Sequence, residues 1–292
     1  MQTSSKIWVG PAGWHYKDWY GPFYPEKAVR DFKELDYLAI YFNTVEINST
    51  FYRPANAFMG SAWVRKVAHN PNFKFTAKLW QRFTHDRMPF GKEEVEIYRQ
   101  GIDPLMEAGK LGAVLCQFPW SFKNDEDNRQ WLSCLFEKFQ DYPLVVEIRH
   151  SSWDNPAFYE MLEKQQAGIA CIDQPVIGQS IAFKPVCTGP VGYVRMHGRN
   201  YNTWFPPRNQ NQVKGSSRYD YLYSEGEVDE ITGNVRQIAD KARETYVVQN
   251  NHPRGQAITN AMQIRAALGE AIESLPPELL AAFPQLKKIL SH

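Results

Sequence analysis

Three short stretches of the chain alternate apolar residues with groups that can do chemistry. In Thr44-Val-Glu46-Ile-Asn48, Glu46 and Asn48 alternate with Val45 and Ile47. In Val145-Val-Glu147-Ile-Arg149, Glu147 and Arg149 do the same, and in Tyr193-Val-Arg195-Met-His197 so do Arg195 and His197. Side chains two apart on a strand share a face, so each stretch would deliver a pair of polar groups to one side. Carboxylates tuned by their neighbours can act as general acid or base. Guanidinium groups can hold negative charge, and a histidine can move a proton near neutrality. Lys78, Gln117, Asp173 and Gln249 end four further β-type runs and are expected to join the same ring. Glu46, Glu147, Asp173 and His197 are therefore the candidate catalytic residues. Asn48, Lys78, Gln117, Arg149, Arg195, Arg199, Asn250, Asn251 and His252 are the candidate substrate contacts, with Trp14 and Tyr52 as aromatic walls.

The elements that must position these groups read as eight β-type runs: Ile7–Gly10, Thr44–Ile47, Phe73–Leu79, Ala113–Phe118, Leu144–Ile148, Gly168–Asp173, Gly192–Met196 and Thr245–Gln249. Amphipathic stretches separate them: Glu26–Tyr41, Ala57–Ala68, Glu93–Ala108, Asn128–Phe139, Ala157–Gln165, Glu227–Ala242 and Ala257–Leu268. Strands alternating with helices imply a parallel sheet, and eight is the number that closes a barrel. The expected fold is a single α/β domain over residues 1–292, a (β/α)₈ TIM barrel spanning about 6–269 with a tail at 270–292. No GxGxxG follows a strand, so an open dinucleotide-binding sheet is the weaker alternative. Gln174 to Val191 carries Pro175, Pro185 and Pro190 and lacks a helical period, so the outer helix between strands six and seven is expected to be missing.

In such a barrel, inward at the C-terminal strand ends means the active-site mouth. The plainer reading of any one buried Glu or Arg is an internal salt bridge, because a buried charge persists only when paired. The loops above the ring lean basic through Arg53, Arg82, His85, Arg199, Arg208, His252 and Arg254. A balanced floor under a basic rim suits an anionic ligand. Asn250-Asn-His-Pro-Arg-Gly255 precedes a helix whose free N–H groups could hold a phosphate, or it could simply turn and cap the chain. Trp80, Trp120, Trp153 and Trp204 also follow strands, whereas Trp8 and Trp131 read as core.

Composition excludes several classes. The chain has 292 residues, 43% hydrophobic and 22% charged, with a formal net charge of +1, and this lack of basic excess argues against a general nucleic-acid binder. No apolar run approaches the roughly 18 residues of a membrane span, and Met1 to Lys6 carries no apolar h-region or cleavage signature, so no signal peptide is expected. Cys116, Cys134, Cys171 and Cys187 form no CxxC pair and read as reduced thiols. A cytoplasmic protein without membrane contact is expected. No cofactor is expected; a divalent metal would fall to Glu46, Glu147, Asp173 and His197.

Six spaced motifs add a resemblance. They are Gly10-Pro-Ala-Gly-Trp14-His-Tyr-Lys-Asp-Trp19, Phe42-Asn-Thr-Val-Glu46-Ile-Asn-Ser-Thr-Phe-Tyr52, Gln117-Phe-Pro, Glu147-Ile-Arg-His150-Ser-Ser-Trp153, Val194-Arg-Met-His-Gly198 and Asn250-Asn-His. From Ile7 to Leu268 the chain resembles the YecE-like family, a domain of unknown function. The resemblance implies a TIM-type barrel and no particular reaction. Barrels of this outline are similar to those of the endonuclease IV and xylose isomerase group, which hold divalent metals with several His, Asp and Glu. Here only His197 stands among the strand-end histidines.

The leading expectation is an enzyme, hydrolase or lyase, acting on a small anionic, phosphorylated substrate. A glycoside hydrolase-like enzyme using Glu46 and Glu147, and a nucleic-acid repair protein reading a displaced base, are the alternatives.

Overall fold

The computed structural model describes residues 5–27, 31–204 and 215–291. Eight parallel strands run in chain order around a barrel: β1 (Lys6–Pro11), β2 (Thr44–Ile47), β3 (Lys74–Lys78), β4 (Leu111–Gln117), β5 (Leu144–Glu147), β6 (Gly168–Asp173), β7 (Val191–Met196) and β8 (Glu244–Gln249). β1 pairs with β8 from Lys6↔Glu244 to Pro11↔Gln249. The ring closes between β1 and β2 through a bridge at Ala12↔Glu46, where Gly13 N donates to Glu46 O at 2.8 Å. Gly10 makes this closure possible, since a Cβ there would run into the Thr44 carbonyl of β2.

The helices are α1 (Glu34–Tyr41), α2 (Ser49–Tyr52), α3 (Ala57–Lys66), α4 (Lys92–Glu107), α5 (Glu126–Lys138), α6 (Pro156–Lys164), α7 (Tyr201–Trp204), α8 (Glu225–Ala239), α9 (Gln256–Ala267) and α10 (Pro277–Ala282). Local sequence starts several of them. Asn56, Asp125 and Asn155 accept from the N–H three residues on, and Ser224 with Glu227 forms a capping box. The first helix is shorter than its sequence pattern. Asp31 sits at φ 71°, a left-handed conformation that a helix cannot contain, and α1 starts only at Glu34. The tail docks: Leu279 of α10 and Leu286 beyond it are buried.

No helix lies between β6 and β7, as the prolines imply. That crossover instead holds the backbone beside β5, with Ile181 N donating to Arg149 O and Ser151 N to Gln179 O, both at 2.9 Å. No helix among the described residues is long and apolar enough to cross a membrane.

Two apolar layers organise the molecule. Val45, Phe75, Val114, Val146, Cys171, Val194 and Val247 face outward into the layer beneath the helices. Trp8, Ala113, Leu115, Val145, Ala170, Tyr193, Tyr246 and Val248 fill the interior. This alternation decides which strand-end residues reach the mouth.

Candidate functional site at the barrel mouth

The register places Glu46, Thr76, Gln117, Glu147 and Arg195 on the inward face, and Lys78, Arg149, His197 and Asn250 continue their strands at the same parity. Arg195 lies at the centre, buried, with Nη1 donating to Glu147 Oε2 at 2.5 Å and Nη2 to Glu46 Oε1 at 2.7 Å. Tyr193, one layer deeper, donates to Glu46 Oε2 at 2.9 Å and lies 2.8 Å from Thr76 Oγ1. Arg149 grips the other oxygen of Glu147 through Nε at 2.9 Å and Nη2 at 2.6 Å, while Gln117 Nε2 adds a third bond at 3.0 Å. A single guanidinium thus spans the two carboxylates. Burial alone would raise the Glu147 pKa, but Arg195 and Arg149 outweigh it and hold this carboxyl well below its usual range. Glu147 is therefore a permanent anion here, and it cannot serve as a general acid near neutrality.

His197 is fully buried, and its pKa falls to about 3 because burial and the nearby Arg149 both oppose its charge. A neutral imidazole has one acceptor and one donor. Arg149 Nη2, at 3.2 Å, can only donate, so Nε2 accepts and Nδ1 carries the proton. Asn250 must then turn its side-chain carbonyl toward Nδ1, its amide group being 2.9 Å away. The 3.7 Å approach of His197 to Glu147 is accordingly not an ion pair at neutral pH.

Lys78 differs from every other charge in the ring. It is 8% exposed, and among the described residues its Nζ makes no hydrogen bond or ion pair. The ammonium instead lies 4.0 Å from the centre of the Phe51 ring. Burial first, and then Arg195, bring its pKa down to about 7. Two carboxylates already face two guanidinium groups, which leaves Lys78 as the unmatched cation.

Aromatic walls rise on two sides. Tyr16 stacks on His252 at 4.6 Å, Tyr219 reaches both His252 and His197, and Trp204 stands 6.3 Å from His197. Opposite, His85 meets Phe51 edge-on at 4.8 Å, its pKa lowered to about 4 by burial and by Lys78. Trp14 is half-buried against Trp63, and Tyr52 stands 68% exposed outside the ring. Asn48 follows β2 at the lip, half-buried.

Several expected members stand elsewhere. Asp173 and Gln249 share the parity of outward residues, pairing with Met196 on either side. Asp173 accepts from Tyr223 at 2.7 Å and from Arg199 Nη2 at 2.6 Å, and Arg199 continues to Glu230. Gln249 Nε2 meets Met196 Sδ at 2.9 Å. Asn251 bonds Tyr221 O and Asn260, between the strands and α8–α9. The N–H of Arg254, before α9, is already taken by Asp18 at 2.7 Å. Arg208 lies outside the described residues. The four residues named for a metal therefore do not converge, and the described residues contain no cluster of three or more His, Cys, Asp or Glu able to share a cation.

Sequence reasoning passed over Tyr193, Thr76 and Gln174. Counting parity back from Arg195 and forward from Ile172 would have found Tyr193 and Gln174; Gln174 Oε1 accepts from Arg149 at 3.1 Å.

Comparisons with known proteins agree with the barrel fold. A family model described as "Protein of unknown function DUF72" matches residues 8–285. The UPF0759 protein YunF of Bacillus subtilis is 29% identical over 95% of this chain and all of its own length. A DUF72 family protein of Thermotoga maritima superimposes with a TM-score of 0.78 at 33% identity, covering 91% of this chain and 100% of that one. One from Enterococcus faecalis does so at 0.79 and 25% identity, covering 93% and 98%. A family model spanning nearly the whole barrel, with relatives matched along their full length, places this chain in the DUF72 family.

Proposed function

We propose that the barrel mouth binds a small anionic substrate and acts on it, with Lys78 and Arg149 meeting the negative charge. The unpaired ammonium of Lys78 carries this reading. A cation without a counter-charge in a nearly closed site is stabilised by any anion that enters. Arg149 supports it. Of its five N–H groups, Nε and one on Nη2 go to Glu147, the second on Nη2 to His197 and one on Nη1 to Gln174. One Nη1 hydrogen is left for a ligand. Glu46 and Glu147 orient these cations; held by Arg195, they do not face an open sugar site as two glycosidase carboxylates would.

The test is a thermal-shift panel of inorganic phosphate, sugar phosphates, short carboxylates, neutral sugars and single-stranded DNA. The panel is run on the wild type and on Lys78→Met, which removes the charge and keeps the shape. An anion at a hundred times its Kd adds about 2.7 kcal/mol, and several degrees of stabilisation are expected in the wild type only. Stabilisation by neutral sugars or DNA alone, or an anion response retained in Lys78→Met, would overturn the reading.

A further inference from the structure

Anion binding does not require an amine, and Arg195 and Arg149 already supply two guanidinium groups to this ring. Lys78 stands apart in how its nitrogen is kept. Lysine is an ordinary counter-ion when a carboxylate holds its proton; among the described residues Lys78 Nζ has no carboxylate as a bonded partner. The groups that act on it come from every neighbouring element: Glu46 on β2, Glu147 and Arg149 at the end of β5, Arg195 on β7, and His85 after β3. The carboxylates among them are occupied by guanidinium donors. The amine projects inward at the C-terminal end of a barrel strand, level with the interior residue Leu115 and against the Phe51 ring. At neutral pH a large share of it is unprotonated, because burial and then Arg195 bring its pKa to about 7. That is the condition for a nucleophilic lysine.

We propose that Lys78 is a nucleophile that condenses with the carbonyl group of an anionic substrate to form an imine. The inference rests on the anion-binding reading above. The Nζ lone pair attacks the carbonyl carbon, and the carbon–oxygen π pair moves to oxygen. A proton passes from nitrogen to that oxygen through solvent water, giving a carbinolamine. The carbon–oxygen bond then breaks, the oxygen departs as water with the second amine proton, and a carbon–nitrogen double bond forms. One water is released, nothing is oxidised or reduced, and no co-reactant is needed. The substrate class is a compact carbonyl compound bearing a carboxylate or phosphate, its anion facing the spare Nη1 hydrogen of Arg149.

The experiment traps the imine. Full-length protein is incubated with pyruvate or with glyceraldehyde 3-phosphate, reduced with borohydride, and mapped by peptide mass spectrometry. Lactate supplies the same anion without a reactive carbonyl, and acetone supplies a carbonyl without the anion. A single adduct on Lys78 is expected with one of the two anionic carbonyls. At pH 7.5 it should form roughly 600-fold faster than on exposed lysines, following the neutral fraction of each amine. It should be absent in Lys78→Arg, which keeps the cation, and in Lys78→Met. Adducts spread evenly over surface lysines, with lactate or phosphate still raising the melting temperature, would overturn the imine and leave anion binding standing. Even labelling with no anion stabilisation would overturn both. Should neither variant fold, the position of the adduct in the wild type decides.

Discussion

Lys78 and Glu147 are both inward, buried and charged, yet their partners give them opposite behaviour. The Lys78 pKa, brought to about 7 by burial and then by Arg195, lies below the roughly 10.4 of an unfolded chain. Between those values the unfolded state binds more protons, so this lysine makes stability rise with pH across the window, by up to about 1.4 kcal/mol per unit. The thiols of Cys116 and Cys171, pushed up to about 12 by burial, oppose that slope, but they are common to wild type and variant. Denaturant melts from pH 7 to 10 should therefore show the wild type gaining stability relative to Lys78→Met; parallel curves would refute the assignment. Glu147 gives the reverse case. Glu147→Ala leaves Arg149 and half of Arg195 buried without their partner, which is expected to cost about 3–5 kcal/mol in a urea melt. A loss under 1 kcal/mol would mean that water already screens the ring. The parity of a strand made Glu46, Glu147, Arg149, Arg195 and His197 legible in sequence, since each sits two residues from a mate. Asp173 and Gln249 misled because their polarity was read without counting which face they occupy.

β1 and β2 illustrate what an element must supply for its side chains to meet. They pair along no extended ladder, only at Ala12↔Glu46, so Glu46 stands where the barrel closes. Gly10→Ala is expected to force the Thr44 carbonyl away and destabilise the barrel by several kcal/mol, in the manner of an overpacked core. Circular dichroism melts of the variant would check it; an unchanged midpoint would mean that the β1–β2 seam is loose. The crossover from β6 to β7 shows the same dependence. Its prolines exclude a helix, and its extended backbone clamps Arg149 O through Ile181 N. The absence of the helix could be read from Pro175, Pro185 and Pro190, whereas the clamp could not, because it joins positions 32 residues apart through a backbone group that carries no side-chain signature.

In the molecule as a whole, the first strand completes the ring by pairing with the last, so the two ends of the fold support the same site. Deleting residues 1–11 should therefore abolish the cooperative thermal transition rather than trim a terminus, as calorimetry would show; a retained transition would mean that seven strands suffice. The amino-acid sequence determined the barrel, because eight β-type runs alternating with amphipathic stretches admit few other arrangements. It also marked most of the ring, because polar residues at strand ends break an otherwise apolar pattern. Only the tertiary structure decided what those groups are chemically. Glu147 and Lys78 are each a polar residue ending an apolar run, and nothing local distinguishes them. Long-range packing gives Glu147 two guanidinium partners and gives Lys78 none among the described residues. In a buried interior, that difference in partners sets whether a charge is locked or reactive.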